Sequence, residues 1–545
     1  MTTSQQPLLS IRDLNVSYRT KAGTTPAVQG VNLDVYPGQM TAIVGESGSG
    51  KTTSAMAAIG LLPSNAHVDA GSIHFCGTEL AGLRPKQWRS LRGKRIGLIP
   101  QDPNNSLNPL KTIGASVEEG LAIHGEGTAQ SRRQRALELL ERVGIDDPQR
   151  RYAQYPHELS GGMKQRVLIA AAVALRPELI IADEPTSALD VTVQKVILDL
   201  LDELRAETGT GILFITHDLA VAGDRADRIV VMESGHVREE GWAATVLTEP
   251  AHAYTRRLLA DAPSLNLATV PTVGASAKQR TARTGQPLVE VSGLTQRFGD
   301  FTAVDDVSFM VGKGTTHALV GESGSGKTTT GRAIAMFNQP TSGSIRVGGV
   351  EVTALRGAEQ REARKRIQLV YQNPFGSLDP RQSIGQTIAA PLRNLTGASK
   401  AKATERAREF MRLVALNPDF FDRRPKELSG GQRQRVAIAR AMIVEPELVI
   451  LDEAVSALDV TVQAQILDLL EQLQQELDLT YIFISHDLAV VNHISDTVSV
   501  FSHGKQVETG RTGEVFAQPQ AAVTRKLIEA IPGSRYRAGD LNMGL

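Results

Sequence analysis

The sequence predicts a duplicated α/β protein, each half a mostly parallel sheet flanked by helices, and three observations predict it. First, an eight-residue stretch, Gly45-Glu46-Ser47-Gly48-Ser49-Gly50-Lys51-Thr52, returns letter for letter as Gly321-Glu322-Ser323-Gly324-Ser325-Gly326-Lys327-Thr328. Second, further landmarks follow it in the same order in both copies. These are a Gln after an apolar run (Gln101, Gln372), a Leu-Ser-Gly-Gly motif (from Leu159 and Leu428), a Glu after an apolar run (Glu184, Glu453) and a His after another (His217, His486). From the Ser of the motif to the His the copies align without a gap, at a constant offset of 269 (160 to 429, 184 to 453, 217 to 486). Third, short apolar runs alternate with helix-like stretches, as βα units require. So long a period is a duplicated domain rather than a solenoid repeat.

A chain of 545 residues exceeds one hydrophobic core. The repeat divides it into domains at 1–261 and 287–545. Between them, residues 262–286 are rich in Ala, Thr, Ser and Pro without apolar periodicity, and read as a flexible linker. In the first copy, residues 8–44 read as short β-rich segments parted by the turn signals Thr24-Thr25-Pro26 and Tyr36-Pro37-Gly38. Met40 to Val44 is an apolar strand, the repeated stretch is a loop, and a helix follows. Ile96 to Pro100 is a strand ending at Gln101. Residues 105–165 look mostly helical, with a charged run at Ser131-Arg132-Arg133-Gln134-Arg135 ahead of Ala136-Leu137-Glu138-Leu139-Leu140. From 167 onward helices alternate with the strands Leu179 to Ala182, Ile212 to Thr216 and Ile229 to Met232. The second half repeats the pattern, with Thr316 to Val320, Ile367 to Tyr371, Leu448 to Leu451 and Tyr481 to Ser485 as its strands.

The repeated stretch fits G-x-x-x-x-G-K-[ST], the phosphate loop of nucleotide-binding proteins, in strand–loop–helix context. Its glycines let successive N–H groups point at phosphate oxygens, and the next helix presents its positive end to the same anion. Lys51 and Lys327 would reach the β- and γ-phosphates. The hydroxyls of Thr52 and Thr328 would hold Mg²⁺. The strands ending in Asp183-Glu184 and Asp452-Glu453 bring acids to the carboxyl edge of the sheet, where open α/β sheets bind ligands. Asp183 and Asp452 would hold Mg²⁺ through its water shell, and Glu184 and Glu453 would polarise an attacking water. His217 and His486, at matched strand ends, suit a γ-phosphate contact. Gln101 and Gln372 suit a sensor that bridges the metal or water and moves. Ser160-Gly161-Gly162 and Ser429-Gly430-Gly431 each open a helix and form a second anion site; Ser-Gly-Gly alone would be a helix cap.

Composition excludes several classes. Lys plus Arg and Asp plus Glu number 59 each, so the net charge is zero and no general nucleic-acid binder is indicated. Cys76 is the only cysteine, which rules out an internal disulfide and any Cys-rich metal or iron–sulfur pattern. It reads as a small buried hydrophobe in a reducing cytoplasm. Residues 1–7 carry no signal-peptide pattern, and no apolar run approaches the roughly 20 residues of a spanning helix, so a membrane role is read as peripheral. The basic clusters at Arg84 to Arg95 and Arg361 to Arg366 read as solvated helix faces, with anionic lipid headgroups as the alternative.

On these motifs the chain resembles a pair of fused ATP-binding cassette (ABC) ATPase domains, over nearly all of residues 8–261 and 287–531. The Ser-Ala-Leu-Asp loops at 187–190 and 456–459 belong to the same resemblance. It implies two P-loop NTPase domains, each a RecA-like core with an antiparallel β subdomain and a helical subdomain. It also implies two ATP molecules with Mg²⁺, sandwiched between head-to-tail domains of the one chain. One site would use Gly45, Ser47, Gly48, Gly50, Lys51, Thr52, Thr53, Gln101, Asp183, Glu184 and His217, closed by Ser429 and Gly431. The other would use Gly321, Ser323, Gly324, Gly326, Lys327, Thr328, Thr329, Gln372, Asp452, Glu453 and His486, closed by Ser160 and Gly162. Tyr18 and Phe298 stand where the family places an adenine-stacking ring. Met163 replaces the usual Gln of the signature, and Ala454 stands where the first half has Pro185; both are peripheral to the chemistry, so two hydrolysis-competent sites are expected.

The stretches Gln101-Asp102-Pro103-Asn104-Asn105-Ser106-Leu107-Asn108-Pro109 and Gln372-Asn373-Pro374-Phe375-Gly376-Ser377-Leu378-Asp379-Pro380 narrow the resemblance. So does Ala251-His252-Ala253-Tyr254-Thr255-Arg256-Arg257-Leu258-Leu259, with a worn copy at Thr524-Arg525-Lys526-Leu527-Ile528. They are similar to the ATPases of bacterial oligopeptide and dipeptide importers, a family that includes nickel, glutathione and haem-related members. The partners implied are two transmembrane permease subunits and an extracytoplasmic binding protein that selects the cargo. The location implied is the cytoplasmic side of the inner membrane. The rival class, a twin-cassette ribosome factor, would carry a longer, highly charged helical linker. A DNA-repair cassette protein would show zinc cysteines.

Overall fold

The computed structural model describes residues 6–20, 23–186, 189–266, 287–372, 374–456 and 458–538. The expected linker from 267 to 286, Ser187 and Ala188, Asn373, and Ala457 lie outside the described residues. The chain forms two compact units, residues 1–265 with 532–545, and residues 266–531.

The first unit contains two sheets. Strands β1 (Leu9–Thr20), β2 (Gly23–Val35), β4 (Ala66–Phe75) and β5 (Thr78–Glu79) form an antiparallel sheet in the order β2-β1-β4-β5. Strands β3 (Met40–Val44), β6 (Ile96–Ile99), β7 (Leu179–Asp183), β8 (Gly211–Ile215), β9 (Arg228–Glu233) and β10 (His236–Trp242) form the second, ordered β10-β9-β3-β8-β7-β6. Five of its strands are parallel, and only the edge strand β10 runs antiparallel. Strands β3, β7 and β8 are buried along their whole length, which is why they read as unbroken apolar runs rather than alternating ones. One apolar cluster joins Leu9, Ile11, Val31 and Phe75 of the antiparallel sheet to Ile43, Ile181, Leu213 and Val230 of the parallel one. It takes in Ala55 and Ala58 of the helix Lys51–Ala58. The helices Ile113–Ile123, Ala129–Arg142, Pro148–Tyr152 and Gly161–Val173 occupy the stretch expected to be helical.

The second unit repeats this design. Strands β11 (Val289–Phe298), β12 (Phe301–Val311), β14 (Ser342–Val347) and β15 (Val350–Glu351) form the antiparallel sheet. Strands β13 (Thr316–Gly321), β16 (Ile367–Val370), β17 (Leu448–Asp452), β18 (Thr480–Ile484), β19 (Thr497–Ser502) and β20 (Lys505–Arg511) form the other, ordered β16-β17-β18-β13-β19-β20.

Four expectations need amendment. The segments of residues 8–35 are not short: β1 has 12 residues and β2 has 13. Bulges hide their length. The β1–β2 pairing slips between Ile11 and Leu14, where Asp13 takes φ 47°, so the inside–outside alternation restarts mid-strand. Cys76 is exposed, not buried. It and Gly77 are the two turn residues between β4 and β5, at φ 48° and 73°, a tight hairpin that points outward. The first residues given to the linker are folded: Pro263–Asn266 is a helical turn, with Ala262 and Leu265 buried. Finally, the segment from Pro532, assigned by sequence to the second domain, packs with the first unit. Asp224 accepts hydrogen bonds from the N–H groups of Gly533 (2.7 Å), Ser534 (3.3 Å) and Arg535 (3.0 Å), and Arg537 donates to the carbonyl of Ser264 at 2.6 Å.

Candidate active site

Each phosphate loop leaves a buried parallel strand and turns directly into a helix. The turn needs glycine at two points for different reasons. Gly45 has φ 149°, and a β-carbon there would stand 2.1 Å from the carbonyl oxygen of Met232. At Gly50, φ is 100° and a β-carbon would stand 2.7 Å from the carbonyl oxygen of Ala27. Gly321 and Gly326 repeat both approaches, at 2.2 Å from Phe501 O and 2.5 Å from Ala303 O. Lys51 is buried, and its Nζ donates to the carbonyls of Gly45 (2.7 Å) and Glu46 (2.8 Å). Lys327 Nζ donates likewise to Gly321 (2.8 Å) and Glu322 (2.7 Å). The ammonium is thus held at the mouth of the loop, among oxygens that a phosphate can replace.

The folding of β7 and β17 brings the remaining expected groups to these loops. The Thr52 hydroxyl donates to Asp183 Oδ1 at 3.0 Å, and Thr328 donates to Asp452 Oδ1 at 2.9 Å. A hydroxyl beside one carboxylate is an oxygen donor set suited to a hard cation that keeps water and phosphate among its ligands. Among the described residues no three His, Cys, Asp or Glu side chains gather into an all-protein metal cage. Next in sequence, each Glu is bracketed. Gln101 Nε2 donates to Glu184 Oε2 at 2.8 Å, and His217 Nδ1 lies 3.3 Å from Glu184 Oε1. The second unit repeats this with Gln372 (2.6 Å) and His486 (3.5 Å) on Glu453. Sequence reasoning had no sign of the backbone here: Glu184 and Glu453 take φ 45° and 48°, left-handed values rare for a residue with a side chain. Their N–H groups still donate to Ile215 and Ile484 at 2.9 Å, so the sheet holds the unusual conformation.

The two neighbouring acids differ in proton affinity. Burial pushes the Asp183 carboxyl up to about 6, against the hydrogen bond from Thr52, and the charge of Glu184 adds to the rise. Burial likewise raises Asp452. Burial also pushes Glu184 upward, but the hydrogen bond and charge of His217, with Lys51 and Gln101, outweigh it and hold the carboxyl below its usual value. Glu453 follows the same balance. His217 and His486 are lowered by burial, yet their glutamates outweigh it and leave both imidazoles above their ordinary value. Each Glu is thereby kept ionised, as a group that orients or accepts a proton from water must be.

Ser160 and Ser429 are not joined to these clusters within their own units. Each caps its helix, accepting from Met163 N and from Gln432 N at 3.3 Å, with Gly162 and Gly431 in the first turn. The departure at Met163 has a local effect. Gln432 Oε1 accepts from Ser429 N at 3.1 Å and completes a capping box, which a methionine cannot do. The Tyr18 hydroxyl lies 3.1 Å from Thr53 Oγ1, so this ring does stand by the first loop's helix. Phe298 is half-exposed at the end of β11. The Asp-Leu-Ala after each His starts a helix: Asp218 accepts from the N–H groups of Ala220 and Val221, and Asp487 from those of Ala489 and Val490. A groove of about 690 Å³ in the second unit reaches Gln372, between Phe337, Tyr371, Arg364 and Arg440. The first unit has one of about 770 Å³ between Trp88, Arg92, Ile123 and His124.

The family model described as ABC transporter matches residues 28–187 and 304–456, one match in each unit. The chain is 44% identical over 535 residues to the peptidoglycan transport ATP-binding protein YejF of Agrobacterium fabrum, with 97% of each chain covered. It is 40% identical over 604 residues to the oligopeptide transport ATP-binding protein OppD of Mycobacterium tuberculosis, covering 96% of this chain and 98% of that one. It is also 40% identical over 565 residues to the glutathione import ATP-binding protein GsiA of Salmonella typhimurium, covering 97% and 91%. With its motifs in contact in both units, and with relatives aligned over nearly its whole length, the chain belongs to the ABC transporter family, as an ATP-binding and ATP-hydrolysing member with two cassettes.

Proposed function

We propose that this chain powers a bacterial importer of short peptides, dipeptides or oligopeptides, from the cytoplasmic face of the membrane. Among the described residues no helix is long and apolar enough to cross a membrane. The reading therefore requires two separate permeases, and an extracytoplasmic binding protein to select the cargo. The observation that carries it is the paired cluster: a Thr–Asp pair beside the phosphate loop and an ionised Glu between Gln and His, present in both units. The relatives, named for peptidoglycan, oligopeptide and glutathione transport, support the cargo class.

In this reading the N–H groups of residues 45–52 and 321–328 bind the phosphates of ATP, and Lys51 and Lys327 turn from the loop carbonyls to the β- and γ-phosphates. Thr53 and Thr329 follow on the same helices. Mg²⁺ would be held by Thr52 and Thr328, with Asp183, Gln101, Asp452 and Gln372 around it, and would supply charge neutralisation at the phosphates. Glu184 and Glu453 orient and polarise the attacking water. His217 and His486 hold those carboxylates and contact the γ-phosphate. Tyr18 and Phe298 stack on adenine. The two cassettes pair head to tail, so that Ser429 and Gly431 close the first site and Ser160 and Gly162 the second. ATP then acts as an adhesive between the cassettes and hydrolysis releases them. The groove that reaches Gln372, and the surface around Gln101, receive cytoplasmic helices of the permeases.

The test is a mild-detergent pull-down of the full chain from its native membranes, with every co-purifying protein identified. Recovery of two multi-span permeases is expected. Recovery of ribosomes instead, with the chain absent from the membrane fraction, would overturn the importer.

A further inference from the structure

The helix Ala253–Asp261 follows the first cassette's core and touches its phosphate loop. The backbone N–H of Glu46 donates to the Tyr254 hydroxyl at 3.1 Å, and Arg257 Nη2 donates to Glu46 Oε1 at 2.8 Å. The Arg257 guanidinium also lies over the Tyr254 ring, 5.2 Å from its centre. Glu46 is the residue whose carbonyl accepts from Lys51 Nζ. A line of contact therefore runs from the tyrosine hydroxyl, through one residue of the loop, to the Lys51 ammonium. The helix is itself anchored. Glu239 on β10 accepts from Ala251 N and His252 N, and His252 Nδ1 accepts from Tyr254 N. Tyr254 is buried, and burial pushes its hydroxyl up to about 12, so it remains a neutral phenol.

The second cassette is an internal control. The same anchor is present: Glu508 on β20 accepts from Gln520 N and Ala521 N at the start of the helix Ala522–Glu529. At the same offset of 269, however, Val523 stands for Tyr254 and Lys526 for Arg257 (254 to 523, 257 to 526). A valine has no hydroxyl to bring to Glu322, although the eight loop residues are identical.

We propose that Tyr254, assisted by Arg257, is a positioning residue that braces the first phosphate loop, and that this tyrosine contact is particular to the first cassette, since Val523 stands at the matching position of the second. The brace orders Glu46 before nucleotide arrives, so less ordering is left to binding. The proposal rests on the reading that the loop around Lys51 binds ATP phosphates.

Tyr254→Phe in the full chain removes the hydroxyl and keeps the ring. Its effect is read with a fluorescent ATP analogue and by steady-state hydrolysis, once in a Lys327→Ala background that leaves the first site and once in a Lys51→Ala background that leaves the second. At the first site, the loss of one hydrogen bond is expected to weaken nucleotide affinity roughly fivefold and raise KM with kcat little changed; the second site should not respond. Arg257→Gln should act in the same direction with smaller size, and serves if the tyrosine variant folds poorly. Unchanged first-site affinity in both variants, or equal losses at both sites, would overturn the brace. Failure of the unaltered chain to bind the analogue would overturn the brace together with the reading beneath it.

Discussion

At the scale of single residues, the loops depend on glycine for space as well as for conformation. Gly45→Ala would drive a β-carbon into the Met232 carbonyl at 2.1 Å while holding φ at 149°. The Met232 backbone does not yield easily, and a loss on the order of 3 kcal/mol is expected in chemical denaturation. Gly48 also has positive φ, 81°, but no atom lies within 4 Å of its would-be β-carbon. Gly48→Ala should cost only about 1 kcal/mol. Equal losses in the two variants would show that conformation, not crowding, sets the requirement. The candidates Gln101, Asp183, Glu184 and His217, with their second-unit counterparts, could be picked from the sequence because each ends or follows an apolar run, and buried parallel strands deliver their last residues to one sheet edge. The left-handed backbone of Glu184 and the exposure of Cys76 were not legible. Both depend on φ, and composition alone makes a lone cysteine look like core.

Among the elements, the helices Ala253–Asp261 and Ala522–Glu529 are each tied to an edge strand by one carboxylate, Glu239 or Glu508. Burial pushes both carboxyls up, but the hydrogen bonds they accept outweigh it, and both sit below the ordinary value of 4.5. A depressed folded-state value means that the stabilisation is fully present above 4.5 and fades as pH falls through the lower folded value. Hydrogen exchange in residues 251–261 and 520–529 should therefore hold steady down to about pH 4.5 and quicken below it, once corrected for the intrinsic rate. At neutral pH, Glu239→Gln should quicken the first segment on the order of tenfold and leave the second unchanged. Sequence periodicity located the buried strands well and the antiparallel ones poorly. Strands β3, β7 and β8 are apolar throughout, whereas the bulge at Asp13 shifts the alternation of β1 by a residue. Nor could the contact of Tyr254 with Glu46 be read, since 208 residues separate them and no pattern links a loop to a later helix.

For the whole molecule, both units carry a complete set of Lys, Thr, Asp, Glu, Gln and His, and on that set we propose two competent sites rather than one. With both sites preloaded with ATP and free nucleotide removed, a single turnover should release two phosphates per unaltered chain. Glu184→Gln or Glu453→Gln should each leave one, and the double variant none. Loss of all release on changing one Glu alone would mean that the sites fire only together.

The segment from Pro532 onward completes the first unit. Asp224 thus waits for partners 309 residues later in the chain. At the roughly 5–20 residues per second of translation, that wait is about 15–60 s. A nascent chain therefore carries its first cassette with one helix unfastened throughout synthesis of the second. Premature termination before Gly533 would yield a polypeptide with both phosphate loops intact and its earliest-made domain still unfinished.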